Sequence, residues 1–281
     1  MPGGGGAREV RGQLEGIGAR PDRRLGQHFL VDGGLLARQV AAASLGPDDT
    51  VLEVGAGLGT LTLELAKGAG HVVAYETDHR LATALRPRLP PNVELRAEDA
   101  LEAEWPPFTK MVANIPYGIS SPLLFKLLGG PFQLAVLLLQ LEFAERLVAR
   151  HGGKDYGRLT VSAARVAAVE LLEVVPRSAF YPQPKVESAL VRLVPREGFK
   201  VRNLILFEEL LRVAFSQRRK MLRNSLAGAR GRLAPRATQE QWDALLATAG
   251  WSSRRPEALS PPELAALADE VASLSDAQSL K

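Results

Sequence analysis

The chain is 281 residues long, with 46% hydrophobic and 23% charged residues, ordinary globular proportions that exclude wholesale disorder and collagen-like repeats. It contains no cysteine, which excludes disulfide frameworks, zinc fingers, iron–sulfur clusters and cysteine nucleophiles. The net charge is +4, yet the window 212–236 holds eight Arg and Lys and no Asp or Glu, so it carries +8 and the rest of the chain −4. A cationic strip on a slightly acidic body points to a polyanionic partner, with a solvated helix face as the plainer alternative.

In chain order, residues 1–19 hold seven glycines and no apolar run. They read as a flexible arm and not as a secretory signal. Residues 20–198 alternate two patterns. Strand-like runs are 50–54, 71–76, 93–97, 110–113, 134–140 and 189–194, and helix-like stretches are 33–43, 60–66, 80–88, 122–128, 143–150 and 159–168. Such alternation predicts an α/β fold, a Rossmann-like parallel sheet covered on both faces. Residues 199–281 show helical patterns only, at 203–214, 219–226, 239–248 and 262–273, and form a small all-α domain. The most apolar run, 134–141, is far shorter than the roughly 20 residues that span a bilayer. A soluble, cytoplasmic protein is expected. His71, His79 and His151 lack the spacing of a metal site, and Trp105, Trp242 and Trp251 read as packing residues.

Chemistry concentrates after the first strand. Glu53 precedes Gly55-Ala56-Gly57-Leu58-Gly59, and a helical pattern begins at Thr60. Glycines there let the backbone turn sharply and approach a ligand closely. A dinucleotide fingerprint needs Gly where this chain has Thr60, so the G-x-G-x-G spacing favours S-adenosylmethionine, which has no pyrophosphate to cradle, with a purely structural glycine-rich turn as the alternative. Glu76 ends the next strand and can accept from both ribose hydroxyls. Asp99 follows the third strand, where an acid can meet the adenine amine.

After the fourth strand comes Asn114-Ile115-Pro116-Tyr117. An amide oxygen and a backbone carbonyl can accept from an exocyclic amine while the ring stacks on a flat base. Two acceptors on adenine N6 draw that nitrogen toward tetrahedral geometry and localise its lone pair. Methyl transfer then needs positioning and electrostatics more than a strong base. In isolation the four residues can also form a plain turn.

Four segments occur in order: Leu25-Gly26-Gln27-His28-Phe29-Leu30, the run 53–59, the 114–117 motif and Phe180-Tyr181-Pro182-Gln183-Pro184-Lys185-Val186-Glu187-Ser188. With 215–226 and 255–260 they resemble the small-subunit ribosomal RNA adenine dimethyltransferase family. The resemblance implies that His28, Leu30, Gly55, Gly57 and Asn114 border the cofactor, with Glu76 on its ribose and Asp99 on its adenine. It also implies that Asn114 and Ile115 grip the target N6, that Pro116 shapes the turn, and that Tyr117 and Phe180 stack on a flipped-out adenine. Many bacterial members have Asn at the His28 position and Leu at the Ile115 position. Arg212, Arg218, Arg219, Lys220 and Arg223 are the expected RNA contacts. The implied reaction is dimethylation of N6 on two adjacent adenosines in the 3′-terminal hairpin of small-subunit ribosomal RNA, during small-subunit biogenesis, by a monomer without metal.

Three rivals remain. One is the antibiotic-resistance branch that methylates large-subunit RNA, and another is a non-catalytic ribosome-assembly or transcription factor retaining the fold. The third, a nicotinamide dehydrogenase, is disfavoured by Thr60 and lacks an evident acid or base for hydride transfer.

Overall fold

The computed structural model describes residues 4–217, 220–247, 250 and 253–276. The chain runs α1 (Gly4–Gly16), β1 (Phe29–Leu30), α2 (Gly33–Ala43), β2 (Thr50–Val54), α3 (Thr60–Gly68), β3 (His71–Tyr75), α4 (His79–Leu85), β4 (Val93–Arg96) and β5 (Lys110–Asn114). It continues through α5 (Ser120–Leu128), β6 (Leu134–Gln140), α6 (Leu141–Leu147), α7 (Arg158–Val166), β7 (Ala167–Val175), β8 (Phe180–Tyr181) and β9 (Ser188–Pro195). Then come α8 (Leu204–Ser216), α9 (Leu222–Leu226), α10 (Arg230–Leu233), α11 (Gln239–Ala247) and α12 (Pro261–Asp276).

Seven strands form one sheet in the order β4-β3-β2-β5-β6-β9-β7. The first five are parallel, and β9 runs antiparallel to β6 with Ala135 opposite Leu193 and Gln140 opposite Ser188. Strand β6 is apolar and buried from Leu134 to Leu139, and β2 is buried from Val51 to Val54, as expected where helices cover both faces. Alternate residues Val51, Val72, Ala74, Val112 and Val136 pack with Leu35, Leu61, Leu65 and Leu85 of α2, α3 and α4. Asp32 and Asp78 accept from Leu35 N and Arg80 N, and these caps start α2 and α4.

The structure differs from the sequence reading at several places. Residues Gly4–Gly16, expected to be a flexible arm, are a helix whose Val10 and Leu14 pack with Ala19, Leu58 and Leu81. Gly6 lies so close to the Val31 carbonyl that a Cβ would sit 2.6 Å from it, so this glycine permits contact where the composition suggested looseness. The helix-like stretch 159–168 ends at Val166, and β7 follows as an unforeseen strand at one end of the sheet. Finally, residue contacts divide the chain into Met1–Ala144 with Val169–Pro195, and Glu145–Ala168 with Arg196–Lys281. The helical unit therefore includes a segment from the middle of the chain, where the sequence reading had one break at 198/199.

That helical unit has its own core of Phe207, Leu210, Leu226, Trp242, Leu264 and Tyr156. Tyr156 donates its hydroxyl to the Leu259 carbonyl at 2.9 Å, and Arg158 and Ser162 bind Glu208, tying α7 to α8. The stretch read as helix from 219 is helical from Leu222, with Arg219 itself outside the described residues, as are Thr248 and Trp251. Among the described residues no helix is long and apolar enough to cross a membrane, and no cluster of three metal-ligating side chains occurs.

Candidate active site

Strands β3 and β4 lie on one side of β2, and β5 and β6 on the other. This reversal of strand order opens a crevice beyond the strands' carboxyl ends. A cleft of about 1010 Å³, counted to its open mouth, occupies the place. Its walls bring together residues 25–30, the glycine-rich turn, Glu76, Asp99, residues 114–117 and Phe180. Every residue read from the sequence as catalytic or cofactor-binding lies on it.

One half of the cleft is built around Glu76. Its carboxylate is 6% exposed and accepts from Gly57 N at 2.7 Å and Asp78 N at 2.8 Å. Burial pushes its pKa up, and those two backbone donors oppose the rise. Gly57 takes a φ of 57°, which aims its amide at Glu76, and a Cβ there would meet the Phe29 ring at 3.3 Å. Gly59 (φ 82°) starts α3, and a Cβ on it would lie 2.3 Å from Leu85. Gly55 binds back to the strand, donating to the Tyr75 carbonyl. Glu53, 1% exposed, has an Oε2 without a hydrogen-bond partner among the described residues. Burial pushes its carboxyl up to about 8, and the charge of Glu76 adds to the rise. Asp99 lines the far wall and accepts from Leu101 N at 2.8 Å.

The other half is assembled from three distant segments. β1 and β8 form a two-stranded antiparallel ribbon with Phe29 opposite Tyr181 and Leu30 opposite Phe180. His28 Nδ1 lies 2.6 Å from the Pro182 carbonyl, so that nitrogen carries the proton and donates. The His28 ring stacks on Tyr117 with centroids 5.6 Å apart and planes inclined by 30°. The Tyr117 hydroxyl and Ser188 Oγ are 2.7 Å apart, and burial raises the Tyr117 pKa above the usual phenol range. Asn114 ends β5, and its Oδ1 is buried without a hydrogen-bond partner among the described residues. Phe180 is buried.

Gln27 ties the two halves together. It donates to Asp78 Oδ2 at 3.3 Å, and the neighbouring amide of Asp78 donates to Glu76. Ser188 and Gln27 lay within the quoted segments, but their bonding emerges only when residues far apart in sequence meet.

The cationic strip is less bare than its sequence suggests. Glu209, just outside the window, binds Arg212 at 2.7 Å and Arg232 at 3.1 Å. Lys220 and Arg223 are exposed and make no ion pair among the described residues. Arg218 and Arg219 lie outside the described residues.

Residues 19–241 match the family described as ribosomal RNA adenine dimethylase. The chain belongs to the ribosomal RNA adenine dimethylase family. Among the family's curated proteins, the probable ribosomal RNA small subunit methyltransferase A of Methanosarcina acetivorans is 46% identical over 246 residues, covering 86% of this chain and 91% of that protein. A crystal structure of a dimethyladenosine transferase from Plasmodium falciparum superposes with a TM-score of 0.76 at 32% identity, covering 85% of this chain and 96% of that one. The crystal structure of the 23S rRNA methyltransferase ErmE gives a TM-score of 0.62 at 35% identity, covering 87% and 99%. Every dimethylase-family site residue named above falls inside the matched range, whereas α1 lies before it.

Proposed function

We propose that this protein uses S-adenosylmethionine to dimethylate N6 of two adjacent adenosines in the 3′-terminal hairpin of small-subunit ribosomal RNA, as a cytoplasmic step of small-subunit biogenesis. The observation that carries the reading is the buried, unpartnered Oδ1 of Asn114. A buried acceptor left without a donor costs about 1–3 kcal/mol, and a substrate amine entering the cleft relieves that cost. The cleft fits the methyl donor as well. Its glycine-rich turn runs so close to the Phe29 ring that a Cβ at Gly57 would meet it at 3.3 Å, so bare backbone walls the cleft there, and the buried Glu53 carboxyl suits a cationic ligand. S-adenosylmethionine, when bound, supplies a methyl group on positively charged sulfur. Glu76 would hold the ribose, Asp99 the adenine, and His28, Leu30, Gly55 and Gly57 the methionine end.

In this reading Asn114 Oδ1 and the Ile115 carbonyl each accept one hydrogen of the target N6 before the first transfer, and one of them accepts the single remaining hydrogen before the second. That pulls the nitrogen out of conjugation and exposes its lone pair, and the proton becomes acidic as each new C–N bond forms and is lost to solvent. Pro116 keeps the turn rigid. Tyr117, fixed by Ser188 and His28, and Phe180 present flat faces to a base taken out of its stack. Arg212, Arg218, Arg219, Lys220 and Arg223 would engage RNA phosphates, and a polyanion is the partner such a strip suits.

The test is incubation with labelled methyl donor and small ribosomal subunits lacking the modification, in parallel with large-subunit RNA, followed by nucleoside mass spectrometry. Dimethyladenosine in the small-subunit RNA alone supports the reading. Label in the large-subunit RNA alone supports the ErmE-like reading, and no label in either sinks both.

A further inference from the structure

The adenine side of the cleft is carried by the loop after β4, and that loop is held by a side chain from a different helix. Asp99 opens it as a turn, its Oδ1 accepting from Leu101 N and its carbonyl accepting from Glu102 N and Ala103 N. A turn wound this tightly aims successive carbonyls the same way, leaving those of Ala100, Leu101 and Ala103 to be satisfied from outside. Lys126 of α5 does so. Its Nζ donates to Ala100 O at 2.9 Å, Leu101 O at 3.0 Å and Ala103 O at 2.5 Å. An ammonium has three hydrogens, and here each has one carbonyl. The remaining side of the ammonium is covered by the Trp105 ring, whose centroid is 4.6 Å away, and Trp105 Nε1 donates to the same Ala100 carbonyl at 2.8 Å.

This arrangement is placed where it can govern ligand choice. Glu98, Asp99 and Ala100 line the cleft, while Asp99 Oδ2 carries no hydrogen bond among the described residues. A carboxylate oxygen can accept from an amine but has nothing to offer a ring carbonyl. Asp99 therefore discriminates between a 6-amino and a 6-oxo purine only while the loop keeps that oxygen in place. Because α5 follows the 114–117 motif after a single helical turn, Lys126 also anchors the adenine loop to the element that begins beside Asn114.

We propose that Lys126 is a positioning residue for the cofactor's base: by clasping three carbonyls of the 100–103 turn it sets Asp99 to select adenine over 6-oxopurines. The inference rests on the cofactor reading above. Its test compares binding of S-adenosylhomocysteine and S-inosylhomocysteine to the full-length protein by calorimetry. Wild type should prefer the adenosyl ligand. Lys126→Met, which keeps the aliphatic stem, should weaken adenosyl binding about tenfold and change inosyl binding less than about twofold, a difference that corresponds to one lost polar contact. Lys126→Arg should recover part of the preference, since a guanidinium still donates to carbonyls but in a planar fork. Trp105→Phe removes the Nε1 donor and reduces the aromatic face over the ammonium while leaving Lys126 in place, and it should shift the same ratio in the same direction by less, even if Lys126→Met does not fold.

Equal weakening of both ligands would reduce Lys126 to a general stabiliser and overturn the proposal, as would an unchanged ratio in Lys126→Met and Trp105→Phe. Wild-type protein that binds neither ligand would instead sink the cofactor reading, and this proposal with it.

Discussion

The two halves of the cleft are prepared in opposite ways. Around Glu76 each carboxylate oxygen already meets a backbone amide, so a ligand there joins a network that is largely finished, with the buried Glu53 Oε2 as the unmet atom on that side. Around Asn114 the key acceptor is buried and unmet, and the aromatic walls come from distant segments joined by the β1–β8 ribbon, the His28–Pro182 hydrogen bond, the His28–Tyr117 stack and the Tyr117–Ser188 contact. The first half is organised to hold one ligand, and the second is kept in want of a donor. An enzyme that binds its methyl donor well yet spends stability on reactivity toward a base would be arranged in this way.

The contrast breaks first at Asn114. Asn114→Ala should lower turnover by about 10²–10³, the cost of removing one preorganised polar group from a reacting centre. Cofactor affinity, measured by calorimetry, should change less than about threefold. A loss confined to affinity would mean the two halves are not separable.

Glu53 sharpens the comparison through pH. Its folded-state pKa of about 8 lies above the ordinary carboxylate value, so the folded protein binds more protons than the unfolded chain between about pH 5 and pH 8. Stability of the ligand-free protein should therefore fall as pH rises through this window, by roughly 2 kcal/mol from about pH 6 to pH 8 for this group alone. Glu53→Gln should flatten that slope, as read from thermal unfolding across the range.

Glu76→Gln tests the satisfied network. A carboxamide has one acceptor oxygen, whereas Gly57 N and Asp78 N both donate here, so one amide would face an NH₂ group. The expected loss is about 1–3 kcal/mol, visible in unfolding and in cofactor affinity together. The smallest effect belongs to the helical unit. Arg212→Ala should change stability by less than about 1 kcal/mol, since its ion pair with Glu209 is exposed. It should also change the salt dependence of RNA binding less than Lys220→Ala or Arg223→Ala, each of which would remove up to about one unit of slope per lost phosphate contact.

Much of this molecule is visible in its sequence where neighbours in the chain are neighbours in the site. The run from Glu53 to Gly59 and the motif 114–117 sit at ends of buried apolar strands, so their chemistry and their placement arise together. Legibility fails where distant partners override local preference. The strand β7 is rich in Ala, Leu and Glu, good helix formers, and becomes a strand because the sheet offers it a place beside β9. Helix α1 contains five glycines, each costing up to about 1 kcal/mol in a helix, and it persists because Val10 and Leu14, one turn apart, join Leu58 and Leu81. Likewise, the composition of 212–236 cannot disclose that Glu209, outside the window, neutralises part of it. Lys126 shows no signature at all in sequence, since its three acceptors are main-chain atoms.

The helical unit's two-part origin has a practical sequel. Because Glu145–Ala168 belongs with Arg196–Lys281, no single scission yields two intact halves. Stopping the polypeptide after Pro195 would strand Tyr156 and Val161, which are enclosed in the full protein by Phe207 and Leu264 among others, and leave an oily surface prone to clumping. Exchanging this unit with that of a relative therefore demands three splice points, at 144/145, 168/169 and 195/196, and on the ribosome α7 must wait, half-dressed, until residues 196–281 follow it out of the tunnel.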